Sequence, residues 1–126
     1  MATREQQRAQ AAYNCVKGGD EAYGRVCAHL PALIHECGLC QTVAFLLAKG
    51  NGEEKKYFYD VLADLWSVVQ PESGLDVEAI DKRVREEDSI TEYQRLSHEA
   101  LACAQWFSRY AEALMGVTKD QRQEGS

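Results

Sequence analysis

The sequence predicts an all-α fold, a single compact bundle of about six helices that ends in a long C-terminal helix. No segment shows the strict alternation of apolar and polar residues that marks a strand, whereas apolar residues recur at helical spacing between recognisable helix ends. Hydrophobic residues make up 45% of the chain, with only two prolines and nine glycines. This composition suits one core, so residues 1–126 are predicted to form one domain.

In the N-terminal half, capping residues and glycines mark the predicted helix ends. Thr3 is predicted to cap the first helix, with Gln6 as its reciprocal partner. Pro31 either kinks the second helix or starts a new one, and Gly38 is interpreted as a stop or tight corner. The predicted helices of this half run over residues 3–17, 20–37, 39–49 and 53–69.

In the C-terminal half, a loop over residues 71–74 precedes a short charged helix capped by Asp76 and ending near Asp88. Residues 89–92 fit a capping box, which predicts a last helix that ends at Gly116. Residues 119–126 are predicted to form a flexible polar tail. The predicted buried face of the last helix comprises Tyr93, Leu96, Ala100, Cys103, Ala104, Phe107, Ala111 and Leu114.

Charge and hydropathy exclude several classes of protein. The net charge of −6 argues against a free-standing nucleic-acid binder, although a local basic stripe remains compatible with it. The longest fully apolar run, residues 43–48, is too short for a membrane span, and the polar N-terminus lacks a secretion signal. We therefore predict a cytoplasmic protein with no membrane partner.

Five cysteines, an odd number, raise the question of thiol or metal chemistry. Cys37 and Cys40 form a Cys-x-x-Cys motif that could be redox active, or could bind zinc together with Cys27, His29 or His35. Redox motifs of this type follow a strand, and structural zinc sites need a second ligand pair. The sequence favours cysteines as small apolar fillers and no metal or cofactor, with a thiol- or zinc-dependent helical regulator or adaptor as the alternative.

No catalytic signature is apparent. The glycines fall at predicted helix ends and form no phosphate-binding loop, and the acidic runs are typical of solvated helix faces. We therefore predict a protein that is not an enzyme and has no small-molecule substrate.

Basic residues suggest a second possibility, contact with RNA. Arg95 and Arg109 are fourteen positions apart on the predicted last helix, which places them on similar sides about 21 Å apart. Lys49, Lys55 and Lys56 flank the turn at residues 50–52. The alternative is solubilising charge that forms ion pairs with Glu92, Glu99 or Glu112.

Two blocks of sequence carry a resemblance to a known family. The first comprises residues 30–34 (LPALI) and 38–49 (GLCQTVAFLLAK), and the second comprises residues 93–101 (YQRLSHEAL) and 106–111 (WFSRYA). Together they resemble the small α-helical subunit of the Cmr (type III-B) CRISPR RNA-silencing complex. The chain departs from the family's pattern at Gln94 and Ser108, where basic residues are usual, and at Cys37.

The resemblance implies a non-catalytic subunit of an antiviral, RNA-guided complex. Copies of such a subunit stack into a filament beside other Cmr subunits and help hold the guide–target RNA duplex, while a neighbouring subunit cleaves the target. Lys49 and Arg109 lie inside the matching blocks and are the RNA-contact candidates that the resemblance carries over. Arg25, Lys55, Lys56 and Arg95 are further candidates from charge and helix geometry.

Overall fold

The computed structural model describes residues 1–117, and every regular element in that range is helical. This confirms the all-α prediction and the long C-terminal helix. The predicted tail at 119–126 lies outside the described residues. The elements are α1 (Arg4–Lys17), α2 (Glu21–Lys49), a 3-10 turn (Glu53–Lys55), α3 (Tyr57–Val69), α4 (Val77–Arg85) and α5 (Ile90–Met115).

A sharp corner divides α2 at Gly38, whose φ of 84° and ψ of 168° are accessible essentially to glycine alone. The corner predicted at Gly38 is confirmed, whereas Pro31 lies inside helical backbone and starts no new helix. The break frees backbone groups that find new partners. The Cys40 N–H donates to the Tyr93 hydroxyl (3.0 Å), and the Thr42 hydroxyl donates to the Gly38 carbonyl (2.8 Å).

Helix ends agree with the sequence where a side chain caps them. The capping box of Thr3 and Gln6 is present, and Asp20 and Asp76 each accept a backbone N–H as predicted. The helix expected from residue 53 begins instead at Tyr57, after the 3-10 turn, and neither start has a capping side chain. The charged helix ends at Arg85 rather than near residue 88.

The capping box predicted at Ser89 is only half formed. The Ser89 hydroxyl accepts the Glu92 N–H (3.2 Å), but the Glu92 carboxylate turns away to Arg83 and Arg95. The Ser89 N–H donates to Glu87 instead (2.9 Å). Two nearby arginines therefore compete for the carboxylate that the box requires.

The core lies where α5 packs against α1, α2 and α3. Six of the eight predicted core positions of α5 are buried; Tyr93 is half-buried, and Leu114 is exposed at the end of the helix. Among residues 1–117, α2 alone has the length and apolar composition of a membrane span. A soluble core helix meets the same criterion, and the apolar residues of α2 pack against α3, α4 and α5.

A partly buried ion pair joins the first and last helices. The Glu99 carboxylate accepts bonds from Arg8 Nε (2.8 Å) and Nη2 (2.7 Å), and also from Arg4. The hydrogen bonds from Arg8, with those from Cys103 and Arg4, hold the pKa of Glu99 at about 2, against an ordinary value of 4.5. Glu99 is therefore a structural residue of the α1–α5 contact.

Candidate nucleic-acid interface

The structure divides the six predicted RNA-contact residues into groups. Arg25, Lys49 and Lys55 line one cavity of about 320 Å³. Lys56 is exposed beside them, at the junction of the 3-10 turn and α3, but does not line the cavity. Arg95 and Arg109 lie on α5 and do not line this cavity. We call the cavity lined by Arg25, Lys49 and Lys55, with the aromatic residues Phe45, Tyr57 and Phe58, the basic–aromatic groove. We call the pair Arg95 and Arg109 the α5 stripe.

The corner at Gly38 creates the groove. In a straight α-helix the 24 positions between Arg25 and Lys49 would span about 36 Å. Because α2 folds back at Gly38, the start and the end of this helix line the same cavity. The 3-10 turn then brings Lys55 to the rim, and α3 supplies the remaining wall.

Three aromatic rings form much of the apolar surface of the groove. Tyr57 and Phe58 stack with ring centroids 4.8 Å apart and an interplanar angle of 29°. Phe45 meets Phe58 edge-on at 6.3 Å, and the Lys49 ammonium lies 5.6 Å from the centre of the Phe45 ring. All three rings are half-buried. Cations beside accessible aromatic faces are the combination that binds single-stranded nucleic acids.

Sequence reasoning missed these aromatic residues as part of a site. The structure leaves the Phe45 ring half-buried, packed against the core and lining the groove. The spacing held a signal, since Lys49 follows Phe45 by one helical turn. This spacing could be interpreted as part of a site only once the packing of α3 against α2 was known.

The two lysines of the groove are available to a ligand. In residues 1–117 no carboxylate pairs with Lys49 or Lys55, and both are exposed. Arg25 is paired with Glu21 one turn earlier on α2, with an N–O distance of 2.5 Å. Both partners of that pair are solvent-exposed, so the pair holds Arg25 weakly.

Along the α5 stripe, Arg95 is neutralised by a carboxylate. Its Nε and Nη2 atoms each donate to Glu92 at 2.7 Å, in a two-point contact. The ion pair expected with Glu92 is therefore present, whereas Glu99 pairs with Arg4 and Arg8. Arg109 is exposed and has no carboxylate partner in the described part of the chain. The unbroken helix preserves the predicted spacing of about 21 Å between the two arginines.

An acidic hollow adjoins the groove. Asp20, Asp60 and Asp64 line it, and Tyr57 contributes to both cavities. The Tyr23 hydroxyl donates to Asp64 (2.7 Å), and burial raises the pKa of Asp64 above its ordinary value. Tyr57 therefore borders both a basic surface, which attracts phosphate groups, and an acidic one, which repels them.

The cysteines give the thiol- or zinc-dependent alternative little support. Burial raises the pKa of Cys15 to about 11, that of Cys103 to about 12, and that of Cys27 further. These thiols are therefore poor nucleophiles and poor metal ligands. Cys37 is exposed, and the Cys40 thiol lies 3.8 Å from the Val84 carbonyl. Within residues 1–117, no three His, Cys, Asp or Glu side chains converge as metal ligands.

Comparisons with known proteins agree on one family. The family model described as "CRISPR-associated protein (Cas_Cmr5)" matches residues 4–114. The CRISPR system Cmr subunit Cmr5 of Thermus thermophilus is 32% identical over 120 residues, covering 91% of this chain and 98% of that protein. The crystal structure of a CRISPR-associated Cmr5 family protein from the same organism superposes with a TM-score of 0.75 at 33% identity, covering 91% of this chain and 99% of that one.

Proposed function

Because this chain belongs to the Cmr5 family of CRISPR-associated proteins, we propose that it is a non-catalytic structural subunit of a type III-B Cmr complex in the cytoplasm. Copies of the chain stack beside the other Cmr subunits and help hold the guide RNA–target RNA duplex. The chain contributes surface and charge to the complex, and cleavage of the target belongs to another subunit.

The basic–aromatic groove is the observation that carries the RNA contact. Lys49 and Lys55 have no carboxylate partner among residues 1–117, and they lie on the rim of one concave surface with Arg25. Lys56, which is exposed next to them, extends the positive region. Arg109 is a secondary candidate, since it is exposed and unpaired in the described chain, whereas Arg95 is held by Glu92.

Weak contacts suit a subunit that acts in several copies. A few phosphate contacts on a chain with net charge −6 bind RNA weakly, with a Kd on the order of 10⁻⁴–10⁻⁶ M. Copies stacked along one RNA multiply such contacts, because each bound copy raises the effective concentration of the next contact. The remaining acidic surface favours association with basic neighbouring subunits.

The test is retention of target RNA by the assembled complex. We expect Lys49→Glu with Lys55→Glu to weaken retention, while complex assembly and the thermal unfolding of the isolated chain stay unchanged. The matched control is Lys82→Glu together with Lys17→Glu, which changes the charge equally at exposed sites on α4 and α1. Equal retention by both double variants would contradict RNA contact through the groove.

The non-catalytic role needs a separate measurement. Purified chain, incubated with target RNA and divalent cations, is expected to leave the RNA intact. Ribonuclease activity that persists through purification, and that disappears when a residue of this chain is replaced, would contradict this part of the proposal.

A further inference from the structure

The groove has a shape that a duplex backbone does not fill. Its apolar lining includes Val26, which is buried, and Leu33, Phe45 and Phe58, which are half-buried, whereas Lys49 and Lys55 are exposed. The bases of a duplex are stacked inside the helix, and its outer surface presents phosphates and sugars. A duplex can therefore touch the rim lysines but cannot place a base ring against the aromatic surface.

We propose that the groove binds an unpaired RNA nucleotide, with its base against the rings of Tyr57 and Phe58 and its flanking phosphates against Lys49 and Lys55. Unpaired bases present a flat face on which aromatic side chains stack. The volume of about 320 Å³ lies at the lower end of the range for small-ligand sites, as suits one nucleotide rather than a longer segment. The inference rests on the proposed function, since it specifies which form of RNA the groove takes.

The acidic hollow determines on which side of the groove the flanking phosphates of the bound strand lie. Tyr57 lines both the groove, with Lys49 and Lys55, and the acidic hollow, with Asp20, Asp60 and Asp64. A phosphate that follows the base toward the hollow meets like charge, whereas one that turns toward Lys49 and Lys55 meets opposite charge. The strand therefore enters and leaves on the lysine side, and the base is inserted from that side.

The contact is expected to tolerate any base. Stacking uses the face that all four bases share, and phosphate contacts carry no sequence information. A site of this kind recognises that a nucleotide is unpaired, and leaves the reading of sequence to base pairing with the guide.

The experiment compares binding of the full chain to a short oligouridine with its binding to a fully paired RNA duplex of equal length, by fluorescence anisotropy at low salt. Tyr57→Leu keeps an apolar side chain but removes the ring. It is expected to weaken oligouridine binding by about tenfold, as loss of one stacked base implies, and to leave duplex binding unchanged. The matched control is Tyr59→Leu, because Tyr59 is an equally half-buried tyrosine that does not line the groove.

The outcomes separate this inference from the proposed function. If Lys49→Glu with Lys55→Glu weakens binding of both RNAs while Tyr57→Leu weakens neither, the RNA contact stands and the nucleotide site is overturned. If neither variant changes binding of either RNA, the groove proposal and the nucleotide site both fall.

Photocrosslinking of the unaltered chain to thiouridine-substituted RNA is an independent test, because it does not depend on a variant that must fold. Adducts on the peptide that contains Tyr57 and Phe58 support the nucleotide site, and adducts confined to α5 overturn it.

Discussion

The basic–aromatic groove and the α5 stripe both combine cations with nearby aromatic rings, but the partners of those side chains differ between the two regions. In the groove, Lys49 and Lys55 have no carboxylate partner among residues 1–117 and line a cavity with half-buried aromatic rings. On α5, Arg95 is held by two hydrogen bonds to Glu92, and the ring of Trp106 stacks on Tyr110 at 5.7 Å. Arg109 on α5 is exposed and has no carboxylate partner among residues 1–117, so the two regions differ in the neutralisation of Arg95 and in the concave aromatic surface beside the lysines.

The same contrast holds for structural roles. The buried face of α5 includes Phe107, and its Glu99 holds α1 in place, so substitutions along this helix should act mainly on stability. The three aromatic residues of the groove are half-buried at the edge of the core, and its two lysines are exposed. Substitutions there should act mainly on binding.

The largest expected effect is the loss of stability when a buried residue of α5 is replaced. Phe107 is fully buried, so Phe107→Ala should lower the free energy of unfolding by roughly 3–5 kcal/mol, through lost burial and the cavity left behind. The groove variant Phe45→Leu should cost less than about 1.5 kcal/mol, because this ring is half-buried and leucine keeps most of its volume. Urea unfolding of both variants measures the difference, and equal losses would contradict the division of roles.

The next effect concerns the acid stability of α5. Glu99 has a pKa of about 2 in the fold and about 4.5 when unfolded, so its ion pairs stabilise the fold above pH 4.5. That stabilisation, roughly 2–3 kcal/mol once solvent screening of the partly exposed arginines is allowed for, should be lost as the pH falls from about 4.5 toward about 2. Glu99→Gln should therefore be less stable than the natural chain at neutral pH, and the two should converge at low pH. A difference that is constant with pH would contradict the ion-pair origin.

A third prediction compares the cations directly. Lys49→Glu with Lys55→Glu should weaken RNA binding by about tenfold or more and reduce the slope of log affinity against log salt by about one per lost contact. Arg95→Glu with Arg109→Glu should change affinity less and leave most of the salt slope intact. Titrations at several salt concentrations measure both, and a steeper loss from the α5 pair would move the RNA contact to α5.

The smallest expected effect is the change in RNA affinity when an arginine loses its carboxylate partner. Glu21→Gln frees Arg25 at the groove and should strengthen RNA binding by less than about fivefold, as expected for an exposed ion pair. Glu92→Gln frees Arg95 on α5 and should leave RNA binding unchanged. Equal gains from both variants would show that any free arginine on this surface suffices.

Much of the fold could be predicted from local sequence. Thr3, Asp20 and Asp76 cap helices as expected, and Gly38 forms the predicted corner, because capping and positive φ depend on residues within one turn. The prediction failed where a distant or competing partner intervened. Ser89 lost its reciprocal partner because Arg83 and Arg95 bind the Glu92 carboxylate.

The sequence by itself determined the helical class, most helix ends, the family and the residue types available for contact with RNA. Only the tertiary structure decided which cations line one cavity. Arg25 and Lys49 are far apart along the chain, and they line one cavity because the backbone turns at Gly38 and α3 packs against α2. Helical periodicity reports neighbours within one helix, whereas a concave site depends on the angle between helices, which long-range packing sets.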